Sequence, residues 1–314
     1  MIKAMLVRFF PQHPADVHHS ISEQTARYTF ICVIVLMLGF LIPGTRASAE
    51  RYEVTATRDI CYATYGDRSL SLDLFSPNRE GPLPTVVLVH GGGWVQGSRD
   101  KFEPLARAIA ERGYVVANIS YRLATEAMFP AAVSDVKAAT RWLRAHAKKH
   151  RVDPTKVIGI GGSAGGHLIA MAGLTPGKFE GSGGWNDRSS ALAGVVVMGS
   201  GVDQVARVKE SKSGDIPNCI TFFGGSYEEV PQMYRDGSPI NYVSSNTPPI
   251  LFLDGSLDRP GQRYVTMRRK LDELSIHHEL SVIEGAKHGQ WNKVEFRQAY
   301  VDEMARFIEY VASR

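Results

Sequence analysis

Between Arg51 and Ser76 apolar and polar residues alternate, with Tyr52, Val54, Tyr62, Leu70, Leu72 and Leu74 on one side. A period of two predicts strands, here antiparallel and half exposed. The pattern then changes. Thr85 to Val89 is a β-branched, apolar run behind Pro82 and Pro84, and Tyr114–Ser120, Lys156–Ile160, Ala193–Met198 and Ile250–Leu253 repeat it. Such runs belong to strands covered on both faces. Between them the apolar period is helical. Phe102, Leu105 and Ile109 share a face up to a stop at Gly113, and the last segment carries Tyr300, Met304, Phe307, Ile308 and Val311 on one face. Pro130 opens a longer helix with Val133, Val136, Ala139 and Leu143 inward, and Arg141, Arg144, Lys148 and Lys149 expected on its solvated side. Pro260 is expected to open another helix, and His278 to Ile283 alternates as a strand. Strands that alternate with helices predict an α/β fold with a mostly parallel central sheet covered on both faces.

Two stretches fall outside this rhythm. Residues 201 to 245 have no clean period; Phe222, Phe223, Tyr227, Met233 and Tyr234 are interleaved with Gly and Pro. This predicts a small insertion of loops and short helices over the carboxyl edge of the sheet, where specificity loops of open α/β sheets lie. Packing of the insertion accounts for the same aromatics equally well. At the other end, Thr29 to Pro43 is apolar and uncharged, Arg27 precedes it and Ala47-Ser48-Ala49 follows it. The run is short of the roughly 20 residues of a bilayer span. It fits a secretory signal over 1–49, cleaved after Ala49, ahead of a folded domain over 50–314; retention as an anchor is the alternative. Export to the periplasm or beyond is expected, with no stable membrane association after cleavage. In an oxidising compartment Cys61 and Cys219 could pair, and without C-x-x-C spacing they make no zinc site.

Composition narrows the partners. The chain is 44% hydrophobic and 22% charged, an ordinary globular balance, and its formal net charge of +4 is spread among interspersed acids and bases. Nothing there points to nucleic acid, and a small or neutral ligand is expected.

The chemistry gathers at Val157 to His167, where a strand-forming run stops at Ser163 between small residues and the helix-forming Leu168-Ile169-Ala170 follows. Gly161-x-Ser163-x-Gly165 fits the nucleophile elbow, a sharp strand-to-helix turn that holds a serine in strained backbone. Read alone, the stretch leaves a second reading open, since Gly159-x-Gly161-x-x-Ala164 also fits a loose dinucleotide fingerprint. His90-Gly91-Gly92-Gly93-Trp94, after the first buried run, is of the type that frees backbone N–H groups for a ligand oxygen. A serine nucleophile needs a base oriented by a carboxylate. Ser163, Asp258 and His288 stand in the Ser, acid, His order, each just after a strand. Asp254 is the alternative acid. Asp135 reads as a helix-surface carboxylate holding neighbouring backbone, and His277 and His278 as surface positions pointing to opposite faces of a strand, not as a metal pair.

His90 to Trp94, Ser120-Tyr121-Arg122-Leu123, Phe129-Pro130 with Asp135, Gly161 to His167 and Gly285-Ala286-Lys287-His288-Gly289 together resemble the α/β-hydrolase carboxylesterases, most of all the hormone-sensitive-lipase-like and feruloyl/acetylxylan-esterase-like bacterial groups. The likeness runs from about Arg51 to the end. Lys287 stands where the group usually has glycine, and Arg259-Pro260 where valine-proline is common. The resemblance implies an α/β-hydrolase fold and a two-step acyl transfer with Ser163 as nucleophile, His288 as base and Asp258 as its orienting acid, selected over Asp254 by the group's Gly-x-x-Asp spacing from Gly255. It implies an oxyanion hole from the N–H groups of Gly92, Gly93 and Ala164. It calls for no metal or organic cofactor. The implied substrates are short-chain acyl esters, acetyl or feruloyl esters of plant polysaccharide among them, so the expected partner is a small-molecule or carbohydrate ester. An amidase or formamidase would use the same triad. A non-catalytic binding protein on this fold would be expected to lack a triad member, and none is missing; a nicotinamide-binding protein would leave the His90 and His288 loops without a role.

Overall fold

The structure, a computed structural model, describes residues 51–211 and 216–314. The signal expected over 1–49 lies outside them. Among the described residues eight strands form one sheet: β1 (Val54–Tyr65), β2 (Arg68–Pro77), β3 (Leu83–Val89), β4 (Val115–Ile119), β5 (Val152–Gly162), β6 (Gly194–Met198), β7 (Ile250–Gly255) and β8 (His278–Ile283). Their order is β1-β2-β4-β3-β5-β6-β7-β8. β1 and β2 pair antiparallel, as does β2 with β4, and every pairing from β4 across to β8 is parallel.

The apolar runs are buried on both faces because alternate residues feed two cores. Val86, Leu88, Ile158, Ile160, Val196, Met198, Leu251 and Leu253 pack on one face with α1 (Glu103–Ala110) and the last helix, α8 (Val294–Ala312). Val87, Val89, Val157, Val195, Val197, Ile250 and Phe252 pack on the other with α2 (Ala131–Ala145), α3 (Ala164–Leu174) and α7 (Val265–Glu273). Three short helices, α4 (Gln204–Lys209), α5 (Pro217–Phe223) and α6 (Pro231–Asp236), lie between β6 and β7, where the irregular stretch predicts an insertion.

Four expectations need correction. β2 is not half exposed: Asp73 and Phe75, opposite its leucines, are also buried, and Phe75 packs with Leu105 and Ile109 of α1. Arg141 does not face solvent; it is 1% exposed and bonds Glu180, which also pairs with the buried Lys137. Asp135 is fully buried, where it accepts from the Arg122 backbone N–H and pairs with its guanidinium. It does hold neighbouring backbone, yet in the interior, and burial pushes its carboxyl pKa up against the pull of Arg122. Helical periodicity assigns charge to the water side by default, and these partners come from other elements. Finally, Pro260 lies in a turn, and regular helix begins at Val265 after a short 3₁₀ turn at Gln262–Tyr264.

Candidate active site

β3 stands between β4 and β5, so the chain leaves the sheet in opposite directions from neighbouring strands and opens a crevice at their carboxyl ends. Val89 is level with Gly161 in the β3/β5 ladder, which brings the His90–Trp94 loop beside Ser163. A Cβ on Gly91 would lie 2.8 Å from the Gly162 carbonyl oxygen.

Ser163 follows β5 as the cap of α3, with φ 53° and ψ −121°, a conformation that L-residues rarely adopt. Its neighbours are packed too closely for side chains. A Cβ on Gly161 would stand 2.3 Å from the Gly165 oxygen, and one on Gly165 would stand 2.1 Å from the Val89 oxygen. The Ser163 N–H donates to Met198 O at 2.8 Å, and its own carbonyl accepts from His167 N at 3.1 Å. The hydroxyl is thereby aimed away from the sheet.

The imidazole of His288 joins two side chains. Its Nδ1 is 2.7 Å from Asp258 Oδ2 and its Nε2 is 3.0 Å from Ser163 Oγ. A carboxylate only accepts, so Nδ1 carries the proton and Nε2 is left to accept from the serine. Room for this chain comes from Gly199, where a Cβ would fall 2.8 Å from Asp258 Oδ2 and 3.1 Å from His288 Nδ1. Asp254 does not reach His288. It is fully buried and accepts from Gly199 N, Gly261 N and Tyr264 Oη at 3.1, 2.9 and 2.9 Å, while burial pushes its pKa up despite those donors.

The glycine loop turns back tightly beside the serine. Gly92 (φ 131°) and Gly93 (φ 61°) take left-handed conformations that favour glycine, and a Cβ would fall 1.8 Å from Gln96 O and 2.1 Å from Asn218 Nδ2 respectively. Among the described residues no acceptor takes a hydrogen bond from the backbone N–H of Gly92, Gly93 or Ala164. Ser163, His288, Asp258, Gly93 and Ala164 all line one cavity of about 520 Å³; Gly92 does not. Asp203, Arg207, Glu210, Ile216 and Ile240, from the stretch between β6 and β7, line it as well.

Several supports escape a reading of the sequence. Trp94 Nε1 donates to His167 Nδ1 at 3.2 Å, and His167 Nε2 lies 2.7 Å from Gly237 O. Indole can only donate, so His167 is the neutral Nε2–H tautomer. It ties the glycine loop, the helix after Ser163 and the insertion together, and burial pushes its pKa down to about 4. His90 is held down to about 4 mainly by burial; its ring stacks on Tyr121 at 4.4 Å and its Nδ1–H bonds Gly91 O at 2.8 Å. Arg263 pairs with Asp258 Oδ1, the oxygen that His288 leaves free. Trp291 sets its ring at 75° to that of His288, 5.4 Å away. The indole of the His90–Trp94 motif is the one available signal; Arg263, in the 3₁₀ turn ahead of α7, carries none.

The insertion's aromatics pack it down. Phe222 stacks on Trp94 at 4.6 Å, Phe223, Tyr234 and Phe222 are buried, and none of the five named aromatic and methionine positions lines the cavity. Cys61 is exposed and Cys219 buried, both as free thiols. His277 pairs with Glu279 and His278 with Asp272. Among the described residues no group of three His, Cys, Asp or Glu side chains could hold a metal ion.

A mostly parallel eight-stranded sheet, with a strained serine at the crossover and a histidine delivered from beyond the last strand, defines the α/β-hydrolase fold. Residues 72–266 match the family model BD-FAE, well over half of the chain, and the chain belongs to that family. It is 31% identical over 209 residues to the probable carboxylic ester hydrolase LipM of Mycobacterium tuberculosis, which covers 64% of this chain and 47% of LipM. It is 28% identical over 243 residues to an ethyl acetate hydrolase of Pseudomonas putida, covering 73% and 74%. The chain spans about half the length of the mycobacterial relatives it matches. Among solved structures, a truncated carbohydrate esterase from gut microbiota superposes with TM-score 0.70 at 26% identity, covering 84% of this chain and 98% of that one. A propionate-bound thermophilic esterase from the Planctomycetes species Thermogutta terrifontis shares the fold with TM-score 0.68 at 24% identity, covering 84% and 96%.

Proposed function

We propose that this chain hydrolyses short-chain carboxylic esters through an acyl-enzyme on Ser163. The observation that carries the reading is the hydrogen-bonded chain Ser163–His288–Asp258 at the wall of a cavity that also bears the N–H groups of Gly93 and Ala164. Serine Oγ attacks the ester carbonyl carbon as its proton passes to His288 Nε2, and Asp258 steadies the imidazolium. The developing oxyanion accepts from Ala164 N–H and from the Gly93 and Gly92 loop, each donor contributing about 3 kcal/mol to lowering the barrier. Collapse breaks the bond to the alcohol, which leaves with the proton from His288. Water then attacks the acyl carbon, gives its proton to the same nitrogen, and the acid departs as Ser163 regains its hydrogen.

The names of its relatives support the ester linkage, a carbohydrate esterase and an ethyl acetate hydrolase among them. We assign as substrates acetyl or feruloyl esters of plant polysaccharide, met outside the cytoplasm after removal of residues 1–49. Turnover of p-nitrophenyl acetate by the wild type and its loss in Ser163→Ala tests the chemistry. Rates on acetylated and feruloylated xylan beside p-nitrophenyl esters of rising acyl length test the substrate class. Undiminished turnover in Ser163→Ala removes the assignment of the nucleophile.

A further inference from the structure

We infer that the cavity beside Ser163 carries an anion-binding subsite built on Arg207, and that the ester it takes bears a carboxylate. The inference rests on the esterase reading and narrows its substrate. Arg207, on α4, is half-buried and lines the cavity. It uses one of its five donors within the fold, Nη1 to Gln204 Oε1 at 3.3 Å, and its guanidinium lies 5.1 Å from the centre of the Trp94 ring. Among the described residues no carboxylate stands within 4.0 Å of it.

Most enclosed arginines of the described residues find an acceptor; Arg268, also half-buried, lacks a carboxylate as Arg207 does, but it does not line the cavity. Arg99, Arg112, Arg122, Arg141 and Arg263, all with side chains less than a fifth exposed, each have a carboxylate partner. Arg144 instead donates to the carbonyls of Pro154, Ser189 and Ala191. Arg207 has neither. A guanidinium partly withdrawn from water without an anion is unfavourable, and its planar fork is matched to a carboxylate. Two acids on the same lining set the position of the subsite. Asp203 is committed as the cap of α4 through the Ala206 N–H, and Glu210 is exposed. An anion beside either would be repelled and the face turned to Trp94 is taken by the indole, so the substrate carboxylate belongs at the edge of the guanidinium that is turned to the cavity and away from both acids. Arg259, exposed on the same lining, adds a second cation.

The carboxylate can ride on the acyl group or on the alcohol, and the test has an arm for each. Full-length protein is assayed on p-nitrophenyl hemiglutarate against the neutral 5-methylhexanoate ester of the same shape, and on acetylated glucuronic acid against acetylated glucose. In at least one arm the anionic ester is expected to have about tenfold higher kcat/KM, the scale of one charge-assisted hydrogen bond. The ratio is expected to fall toward one in Arg207→Gln, to survive in part in Arg207→Lys, and to shrink with added salt. Thermal unfolding of both variants shows that they are folded. Wild type that turns over the neutral esters but has ratios at or below one in both arms overturns the subsite and leaves the esterase reading standing. A ratio that Arg207→Gln does not change overturns it too. Failure on every ester, with Ser163 unlabelled by a fluorophosphonate, removes the esterase reading and the subsite together.

Discussion

Arg263 pairs with the one carboxylate oxygen of Asp258 that His288 does not use, and its other terminal nitrogen lies 3.5 Å from Asp254. The acid that orients the imidazole is therefore held from both sides, by histidine on Oδ2 and by guanidinium on Oδ1. Removing that grip in Arg263→Met leaves a nearly buried oxygen without its donor. We expect kcat to drop by about tenfold or more with KM little changed, since the loss is felt where His288 becomes charged. Arg263→Lys is expected to restore part of it. Asp254 keeps its bonds from Gly199, Gly261 and Tyr264 but loses its cation, so a moderate loss of stability is expected beside the loss of kcat. Steady-state kinetics with thermal unfolding alongside separates the two effects.

The two aspartates near His288 should respond differently. Asp258→Asn presents the wrong partner to Nδ1–H and is expected to lower kcat by about 10⁴, the scale for such an exchange in a serine triad, with little loss of stability. Asp254→Asn is expected to lower stability more than kcat, because it disturbs three bonds that hold the ends of β6 and β7. Parallel kinetics and urea unfolding of both variants check the contrast.

Packing at the serine turn leaves no room for a side chain. Gly165→Ala puts a methyl 2.1 Å from a carbonyl oxygen of β3, which cannot swing away as a side chain can. A loss of about 3 kcal/mol or more is expected, at or beyond the upper end for overpacking. Gly177→Ala meets nothing within 4 Å and carries only the strain of φ 75°, so about 1 kcal/mol is expected there. Denaturant midpoints of the two variants give the comparison directly.

Acid should weaken the protein through His167. Its pKa in the fold is about 4, below the ordinary 6.5, because burial disfavours the charged ring. Above pH 6.5 neither folded nor unfolded chain binds the proton, and stability is unaffected. Between 6.5 and 4 the unfolded chain takes it up and the folded one does not, so stability falls as pH falls, by up to about 3 kcal/mol. His90 acts in the same direction. His167→Gln can keep both bonds, accepting from Trp94 and donating to Gly237, without titrating. Its unfolding free energy is expected to depend less steeply on pH across that window than that of the wild type, by urea titration at pH 7 and pH 5.

How much of this was legible depends on whether a residue's role is local. Gly91, Gly92, Gly161 and Gly165 announce themselves because a side chain there would meet neighbouring backbone, and Ser163 inherits its place from them. The apolar runs of β3, β5, β6 and β7 show the sheet for a related reason: burial on both faces leaves few polar positions, Thr85 and Asp254 among them. Partnerships formed across the fold were invisible. Arg141 and Asp135 look like solvent-facing helix residues until Glu180 and Arg122 arrive from elsewhere. His167 bonds Trp94 and Gly237, 73 and 70 residues away in opposite directions, with no periodicity to betray it. Asp258 is distinguished from Asp254 in the sequence by its place beyond the strand's end and by resemblance; the physical reason is that both oxygens of Asp254 are already committed to Gly199, Gly261 and Tyr264.

The most direct test of the account is to treat the folded protein with a fluorophosphonate and map the adduct by peptide mass spectrometry. A single phosphonyl group on Ser163 is expected, forming in step with loss of p-nitrophenyl acetate turnover and absent after unfolding or in His288→Ala. An intact Ser163 in protein whose esterase activity has been abolished, or stoichiometric labelling at another residue, would contradict it.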